Sequence, residues 1–152
     1  MVTRTTLCYL IKDNKVLLQK KSKGLFGGGK WNGPGGKLKE NENPQDCAKR
    51  EIIEEIGVKV SNLRKHGLLK FFKGNDVFII CDVFATNEFE GEPKPGREGM
   101  VDWFNFNDLP FKEMWPDDKL WMPLMLQGKE FEGDFYFDDN LKEILNYKLN
   151  VI

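Results

Sequence analysis

The stretch of sequence that decides the fold is GKLKENENPQDCAKREIIEEIGV, which runs from Gly36 to Val58. Pro44 suits the first turn of a helix, and Gly57 suits the position just beyond a helix end. Between them, apolar residues recur at four-residue spacing, namely Ala48, Ile52 and Ile56. The stretch therefore predicts an amphipathic helix of roughly three to four turns.

Three glutamates, Glu51, Glu54 and Glu55, share one stripe of this helix, because successive residues advance by about 100° around it. Carboxylates crowded in this way repel one another unless they are solvated or share a hard divalent cation. A ligand set made of oxygen atoms suits magnesium or manganese. The alternative is a solvated acidic face, which is the more frequent meaning of Glu-x-x-Glu-Glu on its own.

The wider spacing favours the metal site. Gly36 is followed after five residues by Glu42, and after seven more by REIIEEIGV, residues 50–58. In this arrangement Arg50 can pair with Glu42 or with Glu54. With the complete spacing, the chain resembles the Nudix hydrolases. The resemblance implies an α+β fold, an α/β/α sandwich with a central mixed sheet, and a reaction in which a metal-bound water attacks a phosphorus atom.

The resemblance also implies roles for individual residues. The expected ligands of Mg²⁺, for which Mn²⁺ can substitute, are Glu51, Glu54, Glu55, the backbone carbonyl of Gly35 and a supporting carboxylate, Glu98. Arg50 is expected to orient a glutamate. The glutamate that takes the proton from water varies within the family, and here Glu51 is the expected general base.

Two further segments, KWNG at 30–33 and PFKEMWPDD at 110–118, resemble family members that act on oxidised purine nucleotides. The resemblance implies a pocket for the base. The expected hydrogen-bonding residues are Asn32, Asp117 and Asp118, with Trp115 stacking, Phe26 and Phe71 as walls, and Thr6 and Lys21 at the rim. Adjacent aspartates in an apolar pocket would couple, so that one could stay protonated. On its own, WPDD is more often an ordinary helix N-terminus.

The expected activity is therefore magnesium-dependent hydrolysis of oxidised purine (deoxy)nucleoside triphosphates such as 8-oxo-dGTP. The products would be the monophosphate and pyrophosphate, and the reaction would clean the nucleotide pool. One alternative is a broader pyrophosphatase that acts on ADP-ribose, dinucleoside polyphosphates or unmodified nucleotides. A less favoured alternative is a nucleotide-binding module without catalysis, since such modules lose the glutamates that are present here.

Bulk properties narrow the class further. A chain of 152 residues is expected to form one domain, residues 1–152. Its 23 basic and 24 acidic residues give a net charge of −1, which argues against polymeric nucleic acid as a partner. Cys8, Cys47 and Cys81 lack zinc or disulfide spacing, so buried reduced thiols are expected. Neither a secretory signal nor a membrane span is predicted, and a monomer in the cytoplasm is the default expectation.

The remaining segments predict further strands and a second helix. Thr5–Ile11 and 16–20 read as a hairpin, and the glycine-rich segment 22–36 as a loop. Further strands are predicted at residues 58–63, 68–72, 76–85, 100–106, 131–137 and 144–151, and a helix at 115–126.

Overall fold

The computed structural model describes residues 1–22, 24, 28–96 and 99–152. Two α-helices lie among these residues, α1 (Pro44–Ile56) and α2 (Asp118–Leu126). The strands are β1 (Thr3–Lys12), β2 (Lys15–Lys21), β3 (Trp31–Asn32), β4 (Gly35–Lys37), β5 (Lys59–Ser61), β6 (Arg64–Lys73), β7 (Asp76–Thr86), β8 (Glu88–Glu90), β9 (Gly99–Asn105), β10 (Phe131–Phe137) and β11 (Ile144–Val151).

The strands form a large mixed sheet with the order β11-β10-β6-β7-β1-β2-β3. Strand β4 pairs with β1, and β9 pairs with β2. The β1–β7 and β6–β10 pairs are parallel, whereas β1–β2, β2–β9, β6–β7 and β10–β11 are antiparallel. The predicted mixed sheet is confirmed.

The two helices cover opposite faces of this sheet. Successive side chains of a strand point to opposite faces, and in β1 Cys8 packs in one apolar cluster while Tyr9 packs in the other. The first cluster includes Ile52 of α1, and the second includes Trp121 of α2. Each fully buried side chain of this size stabilises the fold by about 1.5–3 kcal/mol. The layers are therefore helix, sheet and helix, which confirms the predicted α/β/α sandwich.

Helix α1 begins and ends where its sequence predicts. The Asn43 side chain accepts a hydrogen bond of 2.8 Å from the backbone N–H of Asp46, and Pro44 follows in the first turn. Gly57 has a φ of 72°, which an L-residue with a side chain rarely adopts, and its N–H donates to the Ile53 carbonyl at 2.9 Å. These caps fix both ends of α1, so that all three glutamates lie within the helix.

Several predicted segments differ from the structure, and the strand predicted at 68–72 extends over Arg64–Lys73 as β6. Helix α2 begins at Asp118 rather than at Trp115, because Pro116 disfavours helical backbone at the residue before it. The strand predicted at 58–63 shortens to β5, since Asn62 turns the chain with a left-handed φ of 51°. The predicted loop at 22–36 contains β3 and the start of β4.

Other sequence expectations concern thiols and membranes. Cys8, Cys47 and Cys81 are all free and buried, as expected. Within the described ranges, neither helix is long and apolar enough to cross a membrane.

Candidate active site

A pair of glycines brings β4 directly against β1 and α1. A Cβ atom on Gly35 would lie 1.9 Å from the backbone oxygen of Thr6, so no side chain fits there. A Cβ atom on Gly36 would lie 2.5–2.7 Å from the carboxylate atoms of Glu51. The two glycines therefore allow the first glutamate of the acidic stripe to lie on the backbone of β4.

Glu55 is the most enclosed glutamate of the stripe, with 9% of its surface exposed. Its Oε2 accepts a hydrogen bond of 3.1 Å from the N–H of Gly35, and its Oε1 lies 3.8 Å from Nζ of Lys21. A backbone donor and a cation together compensate for part of the cost of burying this carboxylate.

Arg50 connects the remaining carboxylates. Its Nε and Nη2 bind both oxygens of Glu42 at 2.8 Å, a bidentate pair. Its Nη1 lies 2.8 Å from Glu51 and 3.3 Å from Glu54. Hydrogen bonding to Arg50 is the main reason that the pKa of Glu42 falls to about 2. Arg50 thus pairs with Glu42 and with Glu54, the two partners that the spacing allowed.

The donor chemistry of this carboxylate cluster (Glu51, Glu54 and Glu55, with Arg50) fits a hard divalent cation, because three carboxylates and a backbone carbonyl are oxygen ligands. Among the described residues, no three acidic, His or Cys side chains already converge on one metal position. Arg50 instead binds an oxygen of Glu51 and of Glu54. The predicted ligand Glu98 lies outside the described residues.

A second cluster, the aspartate cluster, consists of Asn32, Asp117 and Asp118. Oδ1 of Asn32 accepts hydrogen bonds from the Tyr9 hydroxyl at 3.2 Å and from the Gly33 N–H at 2.9 Å. A Cβ atom on Gly33 would lie 2.7 Å from the Tyr9 ring, so a glycine is required for this contact. These two bonds fix the orientation of the Asn32 amide.

Both aspartates of this cluster are buried, with 3% and 2% of their surfaces exposed. Asp117 accepts a hydrogen bond of 2.7 Å from the indole N–H of Trp121, and Asp118 accepts one of 3.0 Å from the backbone N–H of Trp115. Desolvation raises the pKa of Asp117 to about 6. Desolvation, followed by the charge of Asp117, raises the pKa of Asp118 well above its ordinary value. The pair therefore retains a proton at a pH where an exposed pair would have none.

The predicted aromatic residues lie on the α2 side of the sheet. Nζ of Lys30 lies 5.3 Å from the centroid of the Trp115 ring, within the range of a cation–π contact. Phe71 packs against Phe135 and Phe137 with ring centroids 6.0 and 5.9 Å apart. The predicted wall residue Phe26 lies outside the described residues.

The two predicted rim residues, Thr6 and Lys21, lie on the face of the sheet that α1 and its glutamates cover. Thr6 is 1% exposed, and its hydroxyl lies 3.4 Å from Sγ of Cys47 in α1. It faces away from Tyr9 because the two residues are three positions apart in one strand, and odd separations point to opposite faces. Lys21 extends to Glu55. The structure thus places both beside the helix of glutamates, and their assignment to the rim of a base pocket stays a prediction.

Two residues that support the aspartate cluster do not stand out in the sequence. Tyr9 binds Asn32, Trp121 binds Asp117, and their rings lie 5.9 Å apart. Trp121 reads as a core residue, Tyr9 reads only as part of a strand, and both are fully buried. The polar end of each aromatic residue needs a hydrogen-bond partner when buried, and this need is the only signal in the sequence.

Comparisons of the sequence and the fold with known proteins identify the family of this chain. A profile of the NUDIX domain matches residues 1–125. The oxidized purine nucleoside triphosphate hydrolases of Mus musculus and Danio rerio are 40% and 41% identical over 148 residues, covering 97% of this chain and 94% of each relative. The crystal structure of a mutator MutT protein from Bacillus halodurans has a TM-score of 0.86 at 28% identity and covers 98% of both chains. The chain belongs to the NUDIX domain family.

Proposed function

We propose that this chain hydrolyses oxidised purine (deoxy)nucleoside triphosphates, such as 8-oxo-dGTP, to the monophosphate and pyrophosphate in a magnesium-dependent reaction. The observation that carries the proposal is the short connection between the two clusters. Asn32 belongs to the aspartate cluster, where the Tyr9 hydroxyl holds its amide. Gly35 follows three residues later and donates its N–H to Glu55 of the carboxylate cluster. Three residues span at most about 11 Å. One nucleotide lying along this segment can therefore meet both clusters.

At the phosphate end, Glu51, Glu54, Glu55 and the Gly35 carbonyl would hold the divalent cation, with Glu98 as a further proposed ligand. A bound cation lowers the pKa of water and neutralises charge on the phosphoryl oxygens. Arg50 fixes the Glu51 carboxylate through its 2.8 Å contact. Glu51, so oriented, is the proposed acceptor of the proton from the attacking water.

At the base end, the aspartate cluster would select the purine. The coupled aspartates offer one protonated carboxyl as a donor and one carboxylate as an acceptor. The Asn32 amide, whose oxygen accepts from the Tyr9 hydroxyl and the Gly33 N–H, adds its NH₂ group as a donor in a fixed plane. The Trp115 ring would stack on the base, and Phe71 and Phe26 would line the walls. The two vertebrate relatives, which are named for oxidized purine nucleotides, support this substrate class.

Turnover of a panel of nucleotides, with the products separated by chromatography, tests the proposal, because a nucleoside triphosphate can release pyrophosphate whereas ADP-ribose would give AMP and ribose 5-phosphate. The panel contains 8-oxo-dGTP, dGTP, ADP-ribose and a dinucleoside polyphosphate, each with Mg²⁺ and with EDTA. We expect the highest kcat/KM for 8-oxo-dGTP and no turnover in EDTA. Higher kcat/KM for ADP-ribose or the dinucleoside polyphosphate would identify the broader pyrophosphatase. Nucleotide binding without turnover would identify the non-catalytic module.

A further inference from the structure

Gln19 is a buried amide that has no hydrogen-bond partner among the described residues. It lies in β2 with 0% of its surface exposed. Neither its Oε1 nor its Nε2 has a hydrogen-bond partner in the described part of the chain. Among the described residues, these are the only buried side-chain nitrogen and oxygen atoms without one. A buried amide that makes no hydrogen bond destabilises the folded state. An apolar side chain of similar size would make the folded protein more stable. The amide is therefore explained if it finds a hydrogen-bond partner in another state of the protein.

The position of Gln19 points to the carboxylate cluster. Side chains two residues apart on a strand share a face, so Gln19 lies on the same face of β2 as Leu17 and Lys21. Leu17 packs in the apolar cluster that contains Ile52 of α1, and Lys21 reaches Glu55 of α1. Gln19 therefore lies between the apolar contact of β2 with α1 and the charged contact of β2 with α1.

We infer that Gln19 is a positioning residue of the carboxylate cluster, whose buried amide gains a hydrogen-bond partner there when a divalent cation binds. The partner is either a carboxylate of the cluster or a water held by one. Mutation of residues that hydrogen-bond to metal ligands, without contacting the metal themselves, commonly changes metal affinity by about 10- to 100-fold. The inference rests on the proposed cation dependence of the enzyme.

The test compares the full chain with Gln19→Met, which keeps the side-chain length and removes the amide. Leu17→Met is the matched control, since it alters the same strand and face and introduces the same side chain. Thermal unfolding is measured in EDTA and in Mg²⁺, and the Kd for Mn²⁺ by calorimetry. Gln19→Leu is measured in parallel as a second apolar variant.

We expect Gln19→Met to raise Tm in EDTA by roughly 3–6 °C, because the unpaired amide is gone. We expect the same variant to weaken Mn²⁺ binding by about 10-fold and to reduce the increase in Tm caused by Mg²⁺. Leu17→Met should leave the Kd for Mn²⁺ unchanged.

Two results would overturn the inference. A lower Tm in EDTA for both Gln19 variants would mean that the amide already has a partner without cation. A wild-type Kd for Mn²⁺ in those variants would mean that the amide does not act on the cluster. If the unaltered protein bound neither Mg²⁺ nor Mn²⁺, the proposed cation dependence itself would fail, which is a separate outcome.

Discussion

The carboxylate cluster and the aspartate cluster use the same functional group in opposite ways. Beside α1, the carboxylates have cationic partners, and hydrogen bonds from Arg50 lower the pKa of Glu42 to about 2. Before α2, Asp117 is buried with an indole N–H as its partner, and its pKa rises to about 6. Burial and the charge of the partner, rather than residue type, decide whether a carboxyl group here is an anion or an acid.

This difference separates two steps of the proposed function. A cluster of anions suits cation binding and attack on phosphorus, whereas a buried carboxyl pair that shares a proton suits recognition of a base with a particular pattern of donors. Mutations should therefore affect rate at one cluster and selectivity at the other. Single substitutions in each cluster test that separation.

The largest effect is expected for Glu54→Gln. The substitution removes the charge of a proposed cation ligand and keeps its shape, so kcat for 8-oxo-dGTP should fall by about 100- to 10,000-fold. The ratio of kcat/KM for 8-oxo-dGTP and dGTP should stay the same, because the aspartate cluster is untouched. Steady-state pyrophosphate release measures both quantities. Glu40→Gln, at an exposed glutamate outside α1, is the control, and turnover of Glu54→Gln at the level of that control would refute the assignment.

A smaller and different effect is expected for Asp117→Ala. Loss of this carboxyl should lower the preference for 8-oxo-dGTP over dGTP by about 10- to 100-fold, because a polar group of the base loses its partner. Activity on dGTP should change far less. The measurement is the ratio of kcat/KM for the two nucleotides, and Asp108→Ala, at an exposed aspartate, is the control. A preserved ratio would remove Asp117 from the base pocket.

The acid character of the aspartate cluster should also appear in stability. Between pH 3.8 and about 6 the unfolded state loses the Asp117 proton while the folded state keeps it, so the free energy of unfolding falls as pH rises. For Asp117 the fall is on the order of 3 kcal/mol. Because the pKa of Asp118 is raised further, its contribution extends the fall above pH 6.

Asp118→Asn isolates this contribution. The amide oxygen can still accept from the Trp115 N–H, but the side chain no longer ionises. We expect the variant to be more stable than the unaltered protein at pH 7 and equally stable near pH 3.5. Urea unfolding at both pH values measures the difference. Parallel stability curves for the two proteins would show that Asp118 is ionised without cost.

The two clusters also differ in how far the sequence predicts them. The carboxylate cluster is local: one helix carries its glutamates, and the caps at Asn43 and Gly57 fix their positions. The aspartate cluster depends on contacts between distant segments, such as the Tyr9–Asn32 bond and the Trp121–Asp117 bond. Resemblance to relatives, rather than periodicity, suggested its residues.

Side-chain direction is the part of the site that the sequence does not predict. Thr6 and Lys21 are predicted rim residues by resemblance alone, whereas strand register decides which face of the sheet each one occupies. Thr6 pairs with Gly36 in the register of β1 and β4, which places its hydroxyl beside Cys47 of α1. Gln19, whose amide has no partner within the described part of the chain, is likewise recognised only when the faces of β2 are known.

The smallest effect is expected for Glu42→Gln, and its sign is opposite to that of Asp118→Asn. The pKa of Glu42 is lowered from 4.5 to about 2, so its contribution to stability is present above pH 4.5 and is lost as pH falls towards 2. Glu42 is only partly buried, so solvent screening keeps the contribution small. Glu42→Gln should thus be slightly less stable than the unaltered protein at pH 7, with no difference near pH 2, whereas Asp118→Asn is more stable at pH 7. Urea unfolding measures these stabilities, with Glu40→Gln as the control. Equal stability of Glu42→Gln and the control at pH 7 would mean that the pair of Arg50 with Glu42 organises the cluster without stabilising the fold.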